Sequence, residues 1–196
     1  GGFGPGPPWY LAGALVKGDS PRYLAPGNHD GYGQESLYRL ANWSPNVHVF
    51  TEDHFVPVTL AEGLTLWGAA HRAPANTDGF FEGGFAVDRA GVNLALFHGS
   101  ETAALGFQDG GKAPHAPFSA EQIEAANLDH AFLGPFHFPR DATRHPYPGN
   151  PDPLNFGEPG PRGAGPVRGN DAGRNTRERL PDPPTLARGM VVEVDP

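Results

Sequence analysis

The chain has 196 residues, 38% of them hydrophobic and 18% charged, with 28 glycines, 23 prolines and a formal net charge of −8. This length can bury one core with a small appendage, and a glycine and proline content above a quarter of the chain predicts irregular segments. The lack of cysteine excludes disulfides and thiolate metal sites, the negative charge excludes general affinity for nucleic acid, and no apolar run approaches the ~18 residues of a membrane span.

The opening Gly1 to Pro8 cannot form the interior of a helix or strand, because glycine is too permissive and proline lacks the amide donor. It has neither the basic nor the apolar region of a secretory signal, which predicts a soluble, cytoplasmic protein. Trp9 to Val16 reads as the end of a helix, followed by a turn and a short strand from Arg22 to Ala25 that breaks at Pro26-Gly27. Glu35 to Ala41 reads as a short helix with Leu37, Leu40 and Ala41 on one face. Alternating or apolar runs then predict strands at Val47 to Phe50, Phe55 to Leu60, Leu64 to Ala70 and Phe85 to Asp88.

Asn93 to Phe97 is a nearly continuous apolar run that ends on His98, the pattern of a buried strand. After a loop rich in Gly, Pro and His, Ser119 is a helix N-cap with Gln122 placed to close a capping box. His130 to Leu133 is a second buried strand, ended by Gly134. Beyond Pro139 only Met190 to Val194 reads as a strand, and about Gly160 to Arg188 is expected to lack regular structure. Alternating strands and helices predict an α/β fold. The chain divides into a disordered start over 1–8, a partial domain over 9–158 and a Pro/Gly/Arg-rich tail over 159–196.

Three strand ends carry residues suited to metal chemistry. In Pro26-Gly27-Asn28-His29-Asp30 a tight turn projects three polar side chains. An Asn carbonyl is a hard oxygen ligand, the adjacent His can donate a proton to a leaving oxygen, and Asp30 can fix that histidine's tautomer. The second is His98, and the third is His137 in Gly134-Pro135-Phe136-His137. Taken singly, each fits an ordinary turn or rim residue, but ligands gather at the carboxyl ends of strands in α/β sheets. His71, after the Leu64 to Ala70 strand, is a candidate for the substrate cleft. His48, His54, His115, His130 and His145 have no ligand-like spacing and are read as solvated or hydrogen-bonded. Six arginines from Arg162 to Arg188 make the tail locally basic, for a solvated segment with at most local phosphate contacts.

Gly27-Asn28-His29-Asp30, a later His98-Gly99 after an apolar strand and Gly134-x-x-His137 after another resemble, in order, the motifs of calcineurin-like metallophosphoesterases. Tyr147-Pro148-Gly149-Asn150-Pro151-Asp152-Pro153-Leu154-Asn155-Phe156-Gly157-Glu158 is similar to the Tyr-Pro-Gly-Ser-Pro-Glu-Pro-Leu-x-Phe-Gly-Glu run of SbcD-type DNA repair exonucleases. The resemblance spans Ser20 to Glu158. It implies a two-layered β-sandwich flanked by helices, missing its first strands and helices, and a dinuclear manganese site. Asn28 and His98 would bind the second ion, His137 would bind the first, His29 would act on the leaving group and Asp30 would support it.

The family's Gly-His-x-His has become Gly134-Pro135-Phe136-His137, which replaces a second-metal ligand by a proline. Its Asp-x-His and Gly-Asp-x-x-Asp motifs, which carry the bridging aspartate, have no counterpart between Gly1 and Pro26. Gly18-Asp19 lies in the turn directly before the strand leading to Asn28 and does not replace them. The expectation is therefore an N-terminally incomplete phosphoesterase, DNA exonuclease-like and impaired, holding fewer than two manganese ions. DNA, through local contacts, and an SMC-like ATPase subunit are its implied partners. The alternatives are a phosphoesterase acting on nucleotides or phosphoproteins and a non-catalytic remnant that serves as a binding module.

Overall fold

The structure, a computed structural model, describes residues 19–73, 78–107 and 113–150, and strand residues 163–164, 167–168, 176–177 and 180–181. It is an α/β arrangement with mixed sheets and few helices. Strand β1 (Arg22–Leu24) pairs in parallel with β2 (Val47–Val49). A four-stranded sheet has the order β3 (Val56–Ala61), β4 (Leu64–Gly68), β5 (Val92–His98), β6 (His130–Gly134). β3 and β4 form an antiparallel pair, while β4, β5 and β6 run parallel, with His98 opposite Gly134 at the carboxyl edge. Among the described residues no helix is long and apolar enough to cross a membrane.

Side chains alternate along a strand, so the parallel core strands bury both faces. Leu94 and Phe132 join Phe50 and Leu66 on one face, with Tyr23, Ala25, Leu96 and Val167 packed against them. Ala95, Phe97, Ala131 and Leu133 point to the other face, toward Phe55, Phe80, Phe81, Phe118 and Ile123. The second face is mostly aromatic: Phe97 meets Phe55 edge-on at 5.3 Å and Phe118 at 5.2 Å between ring centroids. Such edge-to-face pairs align the electronegative face of one ring with the electropositive edge of the next.

The two α-helices among the described residues are short. Helix α1 (Leu37–Leu40) is capped by Ser36, whose hydroxyl accepts from the Tyr38 amide. The predicted apolar face of Leu37 and Leu40 is not its anchor: no residue of α1 is buried and Leu40 is 63% exposed. Tyr38 holds it instead, with its ring stacked on Trp43 and its hydroxyl donating to Asp30. Helix α2 (Ala120–Ala125) starts as the sequence predicts, with the Ser119 amide donating to the Gln122 side chain at 2.8 Å. A 3-10 helix over Thr102–Phe107 lies in what the sequence reads as loop.

Phe85 to Asp88 forms no strand. Its backbone is taken by the turn after α2: the Val87 amide donates to the Ala126 carbonyl, and Val87's carbonyl accepts from Asn127 Nδ2. Its alternating apolar residues fill the aromatic face without a ladder. In the segment expected to lack regular structure, β7 (Gly163–Ala164) pairs with β10 (Leu180–Pro181) and β8 (Val167–Arg168) with β9 (Thr176–Arg177). The expectations for 1–8, Trp9 to Val16 and Met190 to Val194 lie outside the described residues.

Phe97, 1% exposed, is the ring that Phe55, Phe80, Phe81 and Phe118 share. Phe97→Ala is expected to cost about 3–5 kcal/mol, because the rings around the void cannot all collapse into it. Urea denaturation followed by far-UV circular dichroism measures this, and a loss below about 1 kcal/mol would contradict this packing.

Candidate functional site

The carboxyl ends of β1, β4, β5 and β6 meet. Past β1 the chain turns at Pro26-Gly27 and places Asn28, 6% exposed, beside the end of β5. His98 Nε2 donates to Asn28 Oδ1 at 2.7 Å across 70 residues of sequence, and Asn28 Nδ2 donates to His115 Nε2 at 3.0 Å. One carboxamide thus holds two imidazoles, and its polarity makes His98 Nε2 the protonated nitrogen and His115 Nε2 an acceptor.

His98 fits here because two neighbours lack a side chain. A Cβ on Gly27 would stand 2.8 Å from His98 Nδ1, and one on Gly134 would overlap the same atom. The glycines of both sequence motifs therefore leave room for the imidazole. Burial, followed by the neighbouring His71, brings the His98 pKa down from 6.5 to about 3, with Asp30 opposing and His115 and His29 adding smaller repulsion. His98 is a neutral ring at physiological pH.

His71 does not line a cleft. It is fully buried, with Nε2 donating to the His98 carbonyl at 2.6 Å, its amide donating to the Pro26 carbonyl at 3.0 Å and its ring edge-on to Phe80. Its own carbonyl accepts from the Tyr32 amide at 2.6 Å. It ties the loops after β1 and β5 together from inside, and burial lowers its pKa.

Asp30 is not placed to orient His29. Its Oδ1 accepts from the Gly27 amide at 2.8 Å and its Oδ2 from the Tyr38 hydroxyl at 2.6 Å, so both oxygens serve the turn and α1. Burial and the Asp30 charge both raise the Tyr38 pKa, which keeps that hydroxyl a donor. His29 is exposed at the rim, near enough for its charge to act on His98. His137 is exposed on the turn after β6, and the hydrogen bonds of Asn28 go to His98 and His115 rather than to it.

The described part of the longer motif, Tyr147 to Asn150, braces both candidate histidine positions. Tyr147 is 1% exposed, and its hydroxyl donates to the Gly99 carbonyl at 2.9 Å and accepts from the Glu101 amide at 3.0 Å, just after His98. Buried Glu101 pairs with Arg140, and His145 Nε2 lies 3.4 Å from the same carboxylate. Gly149, at φ 79°, lets the Asn150 amide reach the His137 carbonyl at 2.9 Å. Pro151 to Glu158, the rest of the motif, lies outside the described residues.

The sequence reads His115 as solvated or hydrogen-bonded, and it is hydrogen-bonded, though its partner Asn28 is not visible in the spacing. It sits between Pro114 and Pro117 in the loop after β5, and its neighbour Ala116 adopts φ 40°, a region L-residues rarely occupy. Ser100 holds this loop: its amide donates to the His115 carbonyl at 2.8 Å, and its hydroxyl accepts from the His115 amide at 3.3 Å. A histidine between prolines, soon after a strand that ends on another histidine, was the available signal.

Asn28 Oδ1 and His98 Nε2 are 2.7 Å apart because the ring donates its proton to the carboxamide, so Nε2 could act as a ligand atom only in the other tautomer. A carboxamide oxygen suits a hard cation such as manganese, whereas an imidazole suits a borderline one such as zinc or iron. No carboxylate joins this pair, and among the described residues no three His, Asp or Glu side chains are grouped to hold a metal ion. The residues thus fit one ion in part and do not fit a complete two-ion centre. Comparison of the chain with protein-family models, with curated proteins and with solved structures returns no match.

Gly134→Ala and Gly27→Ala are each expected to lower stability by about 1–3 kcal/mol and to shift the His98 ring resonances, because a methyl meets a ring with nowhere to move. Gly33→Ala, whose Cβ would find only the Arg72 carbonyl at 3.5 Å, should move neither. Equal effects at all three positions would remove the steric argument.

The depressed His98 pKa also sets a pH dependence. The unfolded chain takes up the proton near pH 6.5 and the folded chain near 3, so this stability contribution is complete above 6.5 and is lost as pH falls toward 3. The lowered His71 pKa has the same sign. Urea midpoints should therefore fall between pH 7 and 5, less so in His98→Asn, and the His98 C2–H proton resonance should show no titration step over that interval.

Proposed function

We propose that this chain is a metal-dependent phosphoesterase of the calcineurin-like kind, with a DNA exonuclease-like substrate preference and an impaired site. The observation that carries the reading is the Asn28–His98 contact: two residues singled out by separate motifs, 70 positions apart, share a hydrogen bond at the carboxyl edge of the sheet. The brace from Tyr147 to the residues after His98 supports it, because the motif resembling SbcD-type exonucleases begins at that tyrosine. The β1–β2 pair packed on the Phe50 and Leu94 face is compatible with the second layer of the sandwich such a fold requires.

In this reading Asn28 Oδ1 and His98 Nε2, in the tautomer that leaves that nitrogen unprotonated, would hold a divalent ion, manganese in the family, and His137 would belong to a second position. Bound ions of this kind supply charge neutralisation at the phosphate and activation of water. His29, exposed at the rim, donates a proton to the departing oxygen. Asp30 keeps the Gly27–Asp30 turn and α1 in register, which positions His29 through the backbone. The impairment follows from Pro135, which has no donor where the family has a ligand. The chain's net charge of −8 confines DNA to local contacts, and an SMC-like ATPase partner belongs to the same proposal.

The test is hydrolysis of single-stranded DNA and of bis(4-nitrophenyl) phosphate, with and without manganese. A slow manganese-dependent rate is expected, falling to background in His29→Ala and Asn28→Ala. Pro135→His alone should recover less than about 10-fold, because two ions act as one unit on the attacking and leaving oxygens. Identical rates in the parent chain and both alanine variants at every manganese concentration would remove the reading. Cleavage of a nucleotide or a phosphopeptide but of neither diester would move the substrate class and leave the site in place.

A further inference from the structure

We infer that His115 is a positioning residue that sets the tautomer of His98, acting through the Asn28 carboxamide between them. Its functional meaning rests on the phosphoesterase reading, because Asn28 and His98 belong to the proposed site, whereas the coupling itself follows from hydrogen-bond chemistry. A carboxamide has one end that only accepts and one end that only donates. His98 Nε2 lies 2.7 Å from Asn28 Oδ1, and His115 Nε2 lies 3.0 Å from Asn28 Nδ2. With that amide between them the two Nε2 atoms must be in opposite states: His98 carries its proton there, and His115 presents a lone pair. An acceptor at position 115 therefore dictates a donor at position 98.

Neither ring can step aside to escape this constraint. The Ser100 amide donates to the His115 carbonyl at 2.8 Å, its hydroxyl accepts from the His115 amide at 3.3 Å, and the Phe118 amide closes the same loop onto the Ser100 carbonyl at 3.1 Å. On the other side, the His98 carbonyl accepts from His71 Nε2 at 2.6 Å, and the Gly99 amide donates to the Gly134 carbonyl at 3.0 Å. Gly27 and Gly134 approach the His98 ring so closely that neither leaves room for a Cβ. Asn28, 6% exposed, has little water at hand to replace a mismatched partner. A reversed amide with unchanged rings would set donor against donor on one side and acceptor against acceptor on the other. In the proposed phosphoesterase an ion at Asn28 Oδ1 and His98 Nε2 needs that nitrogen bare, and His115 holds it protonated. His115 thus keeps the two groups bonded to each other, in keeping with an impaired site.

The experiment is nitrogen-15 magnetic resonance of the full chain with labelled histidines at about pH 8, where His98 is neutral. The nitrogen shift separates a ring nitrogen that bears a proton from one that bears a lone pair. In the parent chain His98 Nε2 is expected to be protonated and His115 Nε2 bare. His115→Glu, which can only accept, should leave His98 in the parent state. His115→Lys, which can only donate, turns the amide over and should move the His98 proton from Nε2 to Nδ1. Asn28→Asp accepts at both ends and should place a proton on Nε2 of both rings.

Any other pair of states in the parent chain, alike or reversed, would overturn the inference. So would a His115→Lys chain that melts cooperatively and yet keeps the His98 proton on Nε2, since a merely structural residue would leave the tautomer alone. Where His115→Lys does not fold, Asn28→Asp decides: a bare His115 Nε2 in that variant removes the coupling. None of these readouts involves an ion or a substrate, so a failed coupling and a failed phosphodiester assay remain separate results.

Discussion

The imidazole of His98 has to be housed where the carboxyl ends of β5 and β6 meet the turn after β1, and much of the local architecture follows from that. It occupies space that a Cβ on Gly27 or Gly134 would fill, so the two loops that approach it must carry glycine at those points. Its carbonyl is bonded by His71, its ring by Asn28, and the residue after it by Tyr147. A histidine fixed from three directions and half-buried is a neutral base with one defined tautomer. That is a different chemical object from the same residue in a solvated turn.

The hydrophobic layers make this possible. Parallel strands β4, β5 and β6 are covered on both faces, and the interlocked phenyl rings beneath the site leave the strand ends little freedom. The polar groups that end up at the edge must then be satisfied by one another, since an unpaired buried donor costs ~1–3 kcal/mol. The resulting chain of bonds, from the Tyr32 amide through His71, His98 and Asn28 to His115, is the route by which loops far apart in sequence acquire fixed relative positions.

The same network assigns different work to residues that look alike in sequence. His29 is open to solvent and free to meet a substrate, whereas His71 is wholly interior and holds loops together. Asp30, adjacent to His29 and exposed like it, commits its two oxygens to the Gly27 amide and the Tyr38 hydroxyl. In the proposed phosphoesterase the chemistry therefore falls to the exposed histidine, and its neighbours provide the frame.

Much of this was legible in the sequence, for physical reasons. The apolar runs of β4, β5 and β6 are local signals that survive any packing, and the Ser119–Gln122 capping box is a purely local bond. Glycine before Asn28 and glycine at 134 were legible as motif positions, and the structure supplies the reason for them in the width of an imidazole. What the tertiary structure alone decided depends on contacts between distant segments. Phe85 to Asp88 alternates like a strand yet has its backbone bonded to the turn after α2. Leu40 has the spacing of a core residue but stays exposed, because an aromatic stack of Tyr38 and Trp43 anchors its helix. The burial of His71 and the meeting of His115 with Asn28 are invisible to spacing, since both are set by loops whose positions are fixed only when the sheet has formed. Sequence determines which groups exist and how each short segment prefers to bend; which groups share a hydrogen bond is settled by the folding of the whole chain.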